Sequence, residues 1–285
     1  MASGVIHKLH RSGFPVVVLE IPRPSAIRRY VAFSEAVYEG SMAIEGVTCR
    51  FGGRIVQDFA GDKPAVIGEH TDEKLSCIRA AAERMEETIA CGEVPLFADP
   101  KGSFISYLKP WAVVDAIIAK RNLGTTIDMA PVTVALGPGF TAGVDVKVVV
   151  ETKRGHDLGR LIYEGQAAPN SGIPGMIAGY GRERVSHAQA AGVIYGVRKI
   201  GDLVEAGETI AVIRTKDDAG YLGEVEVKAQ IKGVLRGLIR DGYPVAKGFK
   251  IADVDPREEE KKNCFTISDK ARCIAGGVLE ALLNG

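Results

Sequence analysis

Gly192-Val-Ile-Tyr-Gly-Val-Arg-Lys-Ile-Gly-Asp-Leu-Val-Glu-Ala-Gly-Glu-Thr-Ile-Ala-Val-Ile213 aligns without a gap on Gly233-Val-Leu-Arg-Gly-Leu-Ile-Arg-Asp-Gly-Tyr-Pro-Val-Ala-Lys-Gly-Phe-Lys-Ile-Ala-Asp-Val254, at an offset of 41 residues. Eight of the 22 positions are identical: Gly192/Gly233, Val193/Val234, Gly196/Gly237, Gly201/Gly242, Val204/Val245, Gly207/Gly248, Ile210/Ile251 and Ala211/Ala252. About one or two matches would arise by chance at ordinary composition. In each copy a β-type run meets a turn at Gly201-Asp202 or Gly242-Tyr243, continues briefly, and turns again at Gly207 or Gly248. Glycine supplies the positive φ that such turns require. One copy cannot bury its apolar face alone, so the two are expected to close into a small flattened barrel.

Glycine is also what stands out in the composition. The chain has 34 glycines in 285 residues, or 12%, against about 7% in ordinary proteins. With one Trp and 6% aromatics, the core is expected to be built from Val, Ile, Leu and Ala. The 36 Lys+Arg balance 36 Asp+Glu, which argues against a dedicated nucleic-acid binder or a binder of anionic membranes. No apolar run approaches the roughly 18 residues of a span, and no secretory signal is read at the N-terminus. Five scattered cysteines, Cys49, Cys77, Cys91, Cys264 and Cys273, form no C-x-x-C pair and read as reduced thiols of a cytoplasmic protein.

Upstream of the repeat the pattern is α/β. Ala2 to Arg11 reads as a helix stopped by Gly13, and Pro15 to Ile21 as a strand buried on both faces. Ser25 to Val37 is mixed in character. Residues 71–91 read as a helix capped by Thr71 and ended by Gly92, and Val94 to Ala98 as a short strand. Trp111 to Ala119 and Val132 to Leu136 are apolar strand-like runs, followed by the loops Lys120-Arg-Asn-Leu-Gly-Thr125 and Gly137-Pro-Gly-Phe-Thr-Ala-Gly143. Val146 to Glu151 and Leu161 to Glu164 continue as strands. Ile267 to Leu283 carries an amphipathic helical stripe, Ile267, Ala271, Ile274, Val278 and Leu282, with Ser268 and Asp269 suited to its first turn. The expected organisation is an α/β domain over 1–184, the repeat module over 185–256, and a charged linker (Arg257 to Lys262) with the C-terminal helix over 257–285.

The repeat resembles the barrel-sandwich hybrid of biotinyl and lipoyl domains, with G-x-V followed by G-x-x-V-x-x-G twice. Those domains carry a modified Lys, usually beside Met, on a hairpin between the halves. Here Arg214 to Lys228 holds Lys216 and Lys228 but no Met-Lys pair, so neither biotin nor lipoate is expected and a docking or assembly module is favoured. The wider chain resembles the YqeB-type family. The stretches that carry this resemblance are Ala2-Ser-Gly-Val-Ile-His7, Ile27 to Gly40, Asp115 to Thr125, Leu136 to Gly143, Glu151-Thr-Lys-Arg-Gly-His-Asp-Leu-Gly-Arg160, Arg240-Asp-Gly-Tyr243 and Ile267-Ser-Asp-Lys-Ala-Arg272. The resemblance implies an accessory protein of a selenium-dependent molybdenum hydroxylase system, with the molybdenum hydroxylase as its partner. It also implies a strand and a Gly-Ala-Gly-Asp phosphate loop just ahead of Ala2-Ser3-Gly4. Met1 stands where that turn would end, so the Rossmann-like region is expected to lack its first strand.

Several groups are candidates for a ligand site. Gly137, Gly139, Thr141 and Gly143 lie in a loop that can present backbone N–H groups to a phosphate or oxyanion, although without the Gly-Lys-Ser/Thr of a P-loop. A glycine-rich turn between strands is the alternative. Lys120, Arg121, Asn122 and Thr125 follow a strand containing Asp115. Their cations would either hold an anionic ligand or pair with a carboxylate that needs a partner. Glu20 ends the second strand of the expected layer, where a ribose-binding carboxylate sits in dinucleotide sites; its alternative is a solvated strand end. His156 and Arg160 lie in a polar loop, His156 reading as acid/base, metal ligand or plain loop residue. The five histidines have no ligand spacing, so no metal is expected. Arg28-Arg29, beside Ser34 and Glu35, either bind phosphate or face solvent. The ligand these residues suit is a nucleotide or one related to the molybdenum cofactor, and a homo-oligomer is allowed. Besides the accessory role, two further readings stand: a nucleotide-dependent enzyme acting on a small anionic substrate, and a carrier modified on Lys216 or Lys228.

Overall fold

The computed structural model describes residues 1–55, 72–170, 172, 175–216, 220 and 222–285. Thr71, expected as a helix cap, and most of the tip between the repeats (217–219 and 221) lie outside the described residues. The chain is a mixed α/β protein with parallel and antiparallel sheets, divided into two compact units. The first comprises Met1–Pro24, Phe33–Asn170 and Ile267–Gly285, the second Ser25–Ala32 and Ser171–Thr266. These boundaries differ from those at 184/185 and 256/257. Ser25–Ala32 joins the repeat module although it lies far upstream in sequence, and Ile267–Gly285 returns to the first unit.

The first unit contains, in chain order, α1 (Ala2–Arg11), β1 (Val18–Glu20), α2 (Ala36–Glu39), β2 (Ser41–Ile44), β3 (Val47–Arg54), α3 (Asp72–Ala90), β4 (Val94–Ala98), α4 (Ser103–Leu108), β5 (Ala112–Asp115), β6 (Val132–Leu136), β7 (Thr141–Ala142), β8 (Val148–Val150), β9 (Leu161–Ile162), β10 (Gly165–Gln166) and α5 (Asp269–Leu283). Its strands form two four-stranded sheets, ordered β1-β4-β3-β2 and β5-β6-β8-β9, with β7 and β10 paired apart from them. β1, β4 and β3 run parallel, as do β5, β6 and β8, while β2 and β9 are antiparallel edges. The strands of the incomplete Rossmann-like region are thus divided between two separate sheets among the described residues.

Helices α1 and α5 tie these sheets together. Val5 and Leu9 of α1 join Ile274, Val278 and Leu282 of α5 in one core with Val132, Val134, Val148 and Val150. Ile6 and Ala271 face another core with Val47, Cys49, Val94 and Leu96. The two helices pack closely because Gly4 has no Cβ: one placed there would lie 2.9 Å from Ala271 Cβ. Ser268 caps α5, its hydroxyl accepting from Ala271 N at 3.2 Å.

Two strand expectations are corrected in extent, and one hairpin is added. Pro15 to Ile21 is a strand only over β1, a half-buried edge rather than one covered on both faces. Trp111 to Ala119 is a strand only over β5, because Asp115 turns its carboxylate into the next loop and Ile118 takes φ 60. The hairpin β2–β3 is additional to the expected elements; its two-residue turn places Glu45 at φ 47 and Gly46 at φ 80.

The second unit contains β11 (Val185–His187), β12 (Gly192–Gly196), β13 (Leu203–Val204), β14 (Thr209–Lys216), β15 (Leu222–Lys228), β16 (Gly233–Leu238), β17 (Tyr243–Val245) and β18 (Lys250–Asp255). They form two antiparallel sheets, β11-β18-β16-β13 and β15-β14-β12-β17. The short strand of each copy is exchanged. β17 of the second copy pairs with β12 of the first, and β13 of the first pairs with β16 of the second, in equivalent registers (Gly192↔Val245 and Gly233↔Val204). The equivalence extends beyond the aligned repeat. His187↔Lys250 and Ser186↔Ala252 match Lys228↔Thr209 and Val227↔Ala211 at the same offset, and each pairing is interrupted at the same place, beside Ile251 and Ile210. Among the described residues the sheets share no strand, so the expected flattened barrel is two open sheets around one core that includes Ile194, Ile213, Leu235 and Val254.

The symmetry breaks at Arg236–Gly237, where the β16–β18 register shifts. There Ser25–Ala32 enters: Leu238 N donates to Ile27 O at 2.9 Å, and Arg29 Nε donates to Leu238 O at 2.8 Å. Arg28 and Arg29 thus serve as anchors within this unit, Arg28 donating to Asn263 O at 2.7 Å. Burial lowers the Arg28 pKa to about 10, with the Arg236 charge adding to the effect. The charged stretch after the repeat, expected as a solvated linker, forms 3-10 turns over Glu258–Phe265 that bury Cys264.

Candidate functional site

The carboxyl ends of β5, β6 and β8 lie side by side, since the three strands are parallel neighbours. Each runs into a loop that the sequence marked. After β5, buried Asp115 accepts from Ile117 N at 3.0 Å and from the Thr125 hydroxyl at 2.7 Å. Asn122 shapes the same loop. Its Oδ1 accepts from Gly124 N and Thr125 N at 2.8 and 2.9 Å, and its Nδ2 donates to Thr125 O at 2.8 Å. Asn122 and Thr125 are therefore spent on holding the loop, and Asp115 has hydrogen-bond donors rather than a cation as its partners.

The glycine loop after β6 fits against both neighbours. A Cβ on Gly139 would lie 2.5 Å from Arg121 N, and one on Gly137 would lie 2.3 Å from Thr152 Oγ1. Only glycine permits these approaches, and both residues have positive φ, 109° and 75°. Lys120, Arg121, Asn122, Thr125, Gly137 and Gly139 are thus brought together. Lys120 and Arg121 are exposed and form no ion pair among the described residues. Lys120 and Ile118 hold φ of 63° and 60°. For a β-branched residue that is a strained conformation of the sort that gathers at ligand sites.

The remaining candidates lie elsewhere or have structural employment. Thr141 N donates to Asp145 Oδ2 at 2.7 Å and its hydroxyl accepts from Gln166 Nε2 at 2.9 Å, while Gly143 N closes a turn onto Val146 O at 2.8 Å. His156 and Arg160 are exposed on the loop after β8, Arg160 paired with Asp157 at 2.9 Å. Glu20 ends β1 in the other sheet, where burial pushes its carboxyl up against the lowering effect of the Ile21 N–H. Buried Glu151, which sequence reasoning missed, accepts from Lys153 N and Ala168 N, each at 2.7 Å. Asp115 and Glu151 both spend their oxygens on backbone turns and the Thr125 hydroxyl, so the charge this edge offers to solvent is cationic. Among the described residues no three His, Cys, Asp or Glu side chains could hold a metal ion, and no helix is long and apolar enough to cross a membrane.

Thr125→Val should leave the buried Asp115 carboxylate with one of its two donors. The expected cost is about 2 kcal/mol, read as a lower urea midpoint at unchanged slope.

No family model matches the chain. Among solved structures, it is similar to the apo form of the Ectoine utilization protein EutE (DoeB) from Ruegeria pomeroyi at 12% identity, covering 84% of this chain and 85% of that one with a TM-score of 0.24. A succinylglutamatedesuccinylase/aspartoacylase from Rhodobacter sphaeroides aligns at 15% identity over 56% of this chain and 65% of that one, with a TM-score of 0.25. Superpositions at this level carry no argument. The sequence likeness is of another order: 46% identity over 283 residues, 99% of this chain, to the "Uncharacterized protein YqeB" of Escherichia coli (strain K12). The chain spans 46% of that relative's length, and a likeness running through nearly all of its own residues supports the YqeB-type family resemblance.

Proposed function

We propose that this protein is an accessory factor of a selenium-dependent molybdenum hydroxylase system. In this reading the first unit binds a small anionic ligand and the duplicated unit is a docking module of the barrel-sandwich type. The observation that carries the accessory role is the likeness to the YqeB-type family along 99% of the chain. The anionic ligand is favoured by the exposed Lys120 and Arg121 beside the Gly137–Gly139 loop, at an edge whose carboxylates are turned inward. The first unit is read as Rossmann-like. β1 and β5 are parallel edge strands, half-buried despite apolar sequences, and α1 and α5 pack against both sheets. One parallel strand between β1 and β5 would join the two sheets in the order of a doubly wound layer. Deleting the gene in a host that makes such a hydroxylase should lower hydroxylase activity, and the two proteins should co-purify. Unchanged activity with no association would sink the role.

The second reading, a nucleotide-dependent enzyme acting on a small anionic substrate, is favoured by the close fit of Gly139 against Arg121. Thermal shift with NAD(P), ATP and pterin nucleotides separates the two. Stabilisation by one of them, lost in Arg121→Met, supports the enzyme, and no stabilisation by any counts against it.

A further inference from the structure

The first unit has a concavity at the opposite, amino-terminal end of the same parallel strands. A groove of about 1000 Å³ lies where the chain enters β5, β6 and β8, between α4 and the segment 126–131. Lys101, Lys109 and Lys147 line it, with Asp128 as its one carboxylate. The chain as a whole is neutral, so this excess is a local arrangement rather than a reflection of composition. Lys109 and Lys147 are exposed and make no ion pair among the described residues. The hydroxyls of Ser103 and Ser106 add donors, and Ile105 and Met129 give an apolar wall.

Backbone conformation supplies an independent sign. Lys109 ends α4 at φ 46, ψ 59, its N–H donating to Ile105 O. That left-handed position after a helix is where glycine is ordinarily found, and an L side chain there is held at a conformational cost. The cost is carried by a lysine whose side chain lines the groove.

We propose that this groove binds a phosphorylated small molecule of about nucleotide size, its phosphates held by Lys109 and Lys147 and its apolar part lying against Ile105 and Met129. The site is separate from the Lys120–Arg121 edge, and the proposal does not rest on the function assigned to that edge.

The test is calorimetric titration of the full chain with ADP and with inorganic pyrophosphate. Saturable binding is expected for both, tighter for ADP and weakened by added salt. Lys109→Met/Lys147→Met should weaken it at least tenfold, Lys109→Arg/Lys147→Arg should keep it, and Asp128→Asn should tighten it. Arg121→Met should leave the lysine-dependent part of the binding in place. Lys109→Gly should give opposite signs in two readouts, a melting temperature raised by about 2–4 °C without ligand and weaker binding. If the double methionine variant fails to fold, Lys147→Met and Lys109→Gly carry the test. No saturable binding, binding that survives loss of both lysines, or binding lost only in Arg121→Met would overturn the proposal.

Discussion

Gly233→Ala is expected to destabilise the second unit by about 3 kcal/mol, and Gly192→Ala by a similar amount. A Cβ on Gly233 would lie 2.2 Å from Asp255 O, and one on Gly192 would lie 2.3 Å from Arg214 O. The two obstructions are the same contact at the 41-residue offset, one in each copy. Both involve backbone carbonyls of strands paired to those glycines' own strands, so relief means opening the ladder rather than turning a side chain. Gly207 and Gly248 make the contrast. They have φ of 84° and 83°, but a Cβ at either would meet nothing within 4 Å, so alanine there should cost only about 1 kcal/mol. Urea unfolding followed by circular dichroism reads the difference. Equal losses at Gly233 and Gly248 would mean that close approach plays no part in fixing this unit.

Asp253→Ala should cost about 3–5 kcal/mol, because it strands a buried guanidinium. Arg184 and Asp253 are 5% and 8% exposed and meet at 3.1 Å. Arg184 has one further acceptor, Gly175 O at 3.2 Å, and its buried Nε has none among the described residues. At the 41-residue offset the equivalents of Arg184 and Asp253 are Val225 and Val212, which lie on different rungs of the β14–β15 ladder (Ile213↔Val225 and Val212↔Glu226), so the ion pair has no counterpart in the first copy. Replacing both members of a buried ion pair by apolar residues is often neutral or stabilising, so Arg184→Val/Asp253→Val should recover most of the stability lost in Asp253→Ala. A double variant as unstable as the single one would show that the pair does more than neutralise itself.

What the sequence discloses and what it hides divide along local and long-range lines. The repeat was legible because its turns need glycine, and glycine is kept in both copies where side chains are not. Its extension to β11 and the end of β15 was not legible: Val185-Ser-His187 and Glu226-Val-Lys228 share no residue, and only their pairing is common. The helices α1 and α5 carried an apolar stripe and were found. Ser25–Ala32 gave no sign of joining the second unit, since it does so through Ile27 O and the side chains of Arg28 and Arg29 meeting backbone groups more than 200 residues away.

At the candidate site the sequence marked the right loops for incomplete reasons. Gly137 and Gly139 stood out as glycines, yet what requires them is the approach of Thr152 and Arg121. Asp115 called for a partner, and the nearby Lys120 and Arg121 were the obvious ones. The partners are instead Thr125 and the Ile117 N–H, since the strained loop turns back on itself. His156 and Arg160, grouped with these residues by chemistry, are on a separate exposed loop.

The pairing of the two copies is tested most directly by amide hydrogen exchange at Gly201 and Gly242. Each donates across the duplication, Gly201 N to Leu235 O and Gly242 N to Ile194 O, both at 2.8 Å. If the copies form one cooperative unit, both amides are protected to the same opening free energy and both lose protection together in Gly233→Ala. If one exchanges at a loop-like rate while the other stays protected, or if the Gly242 amide keeps its protection in the variant that Gly201 loses, the copies fold separately and the exchange of short strands between them does not hold this unit together.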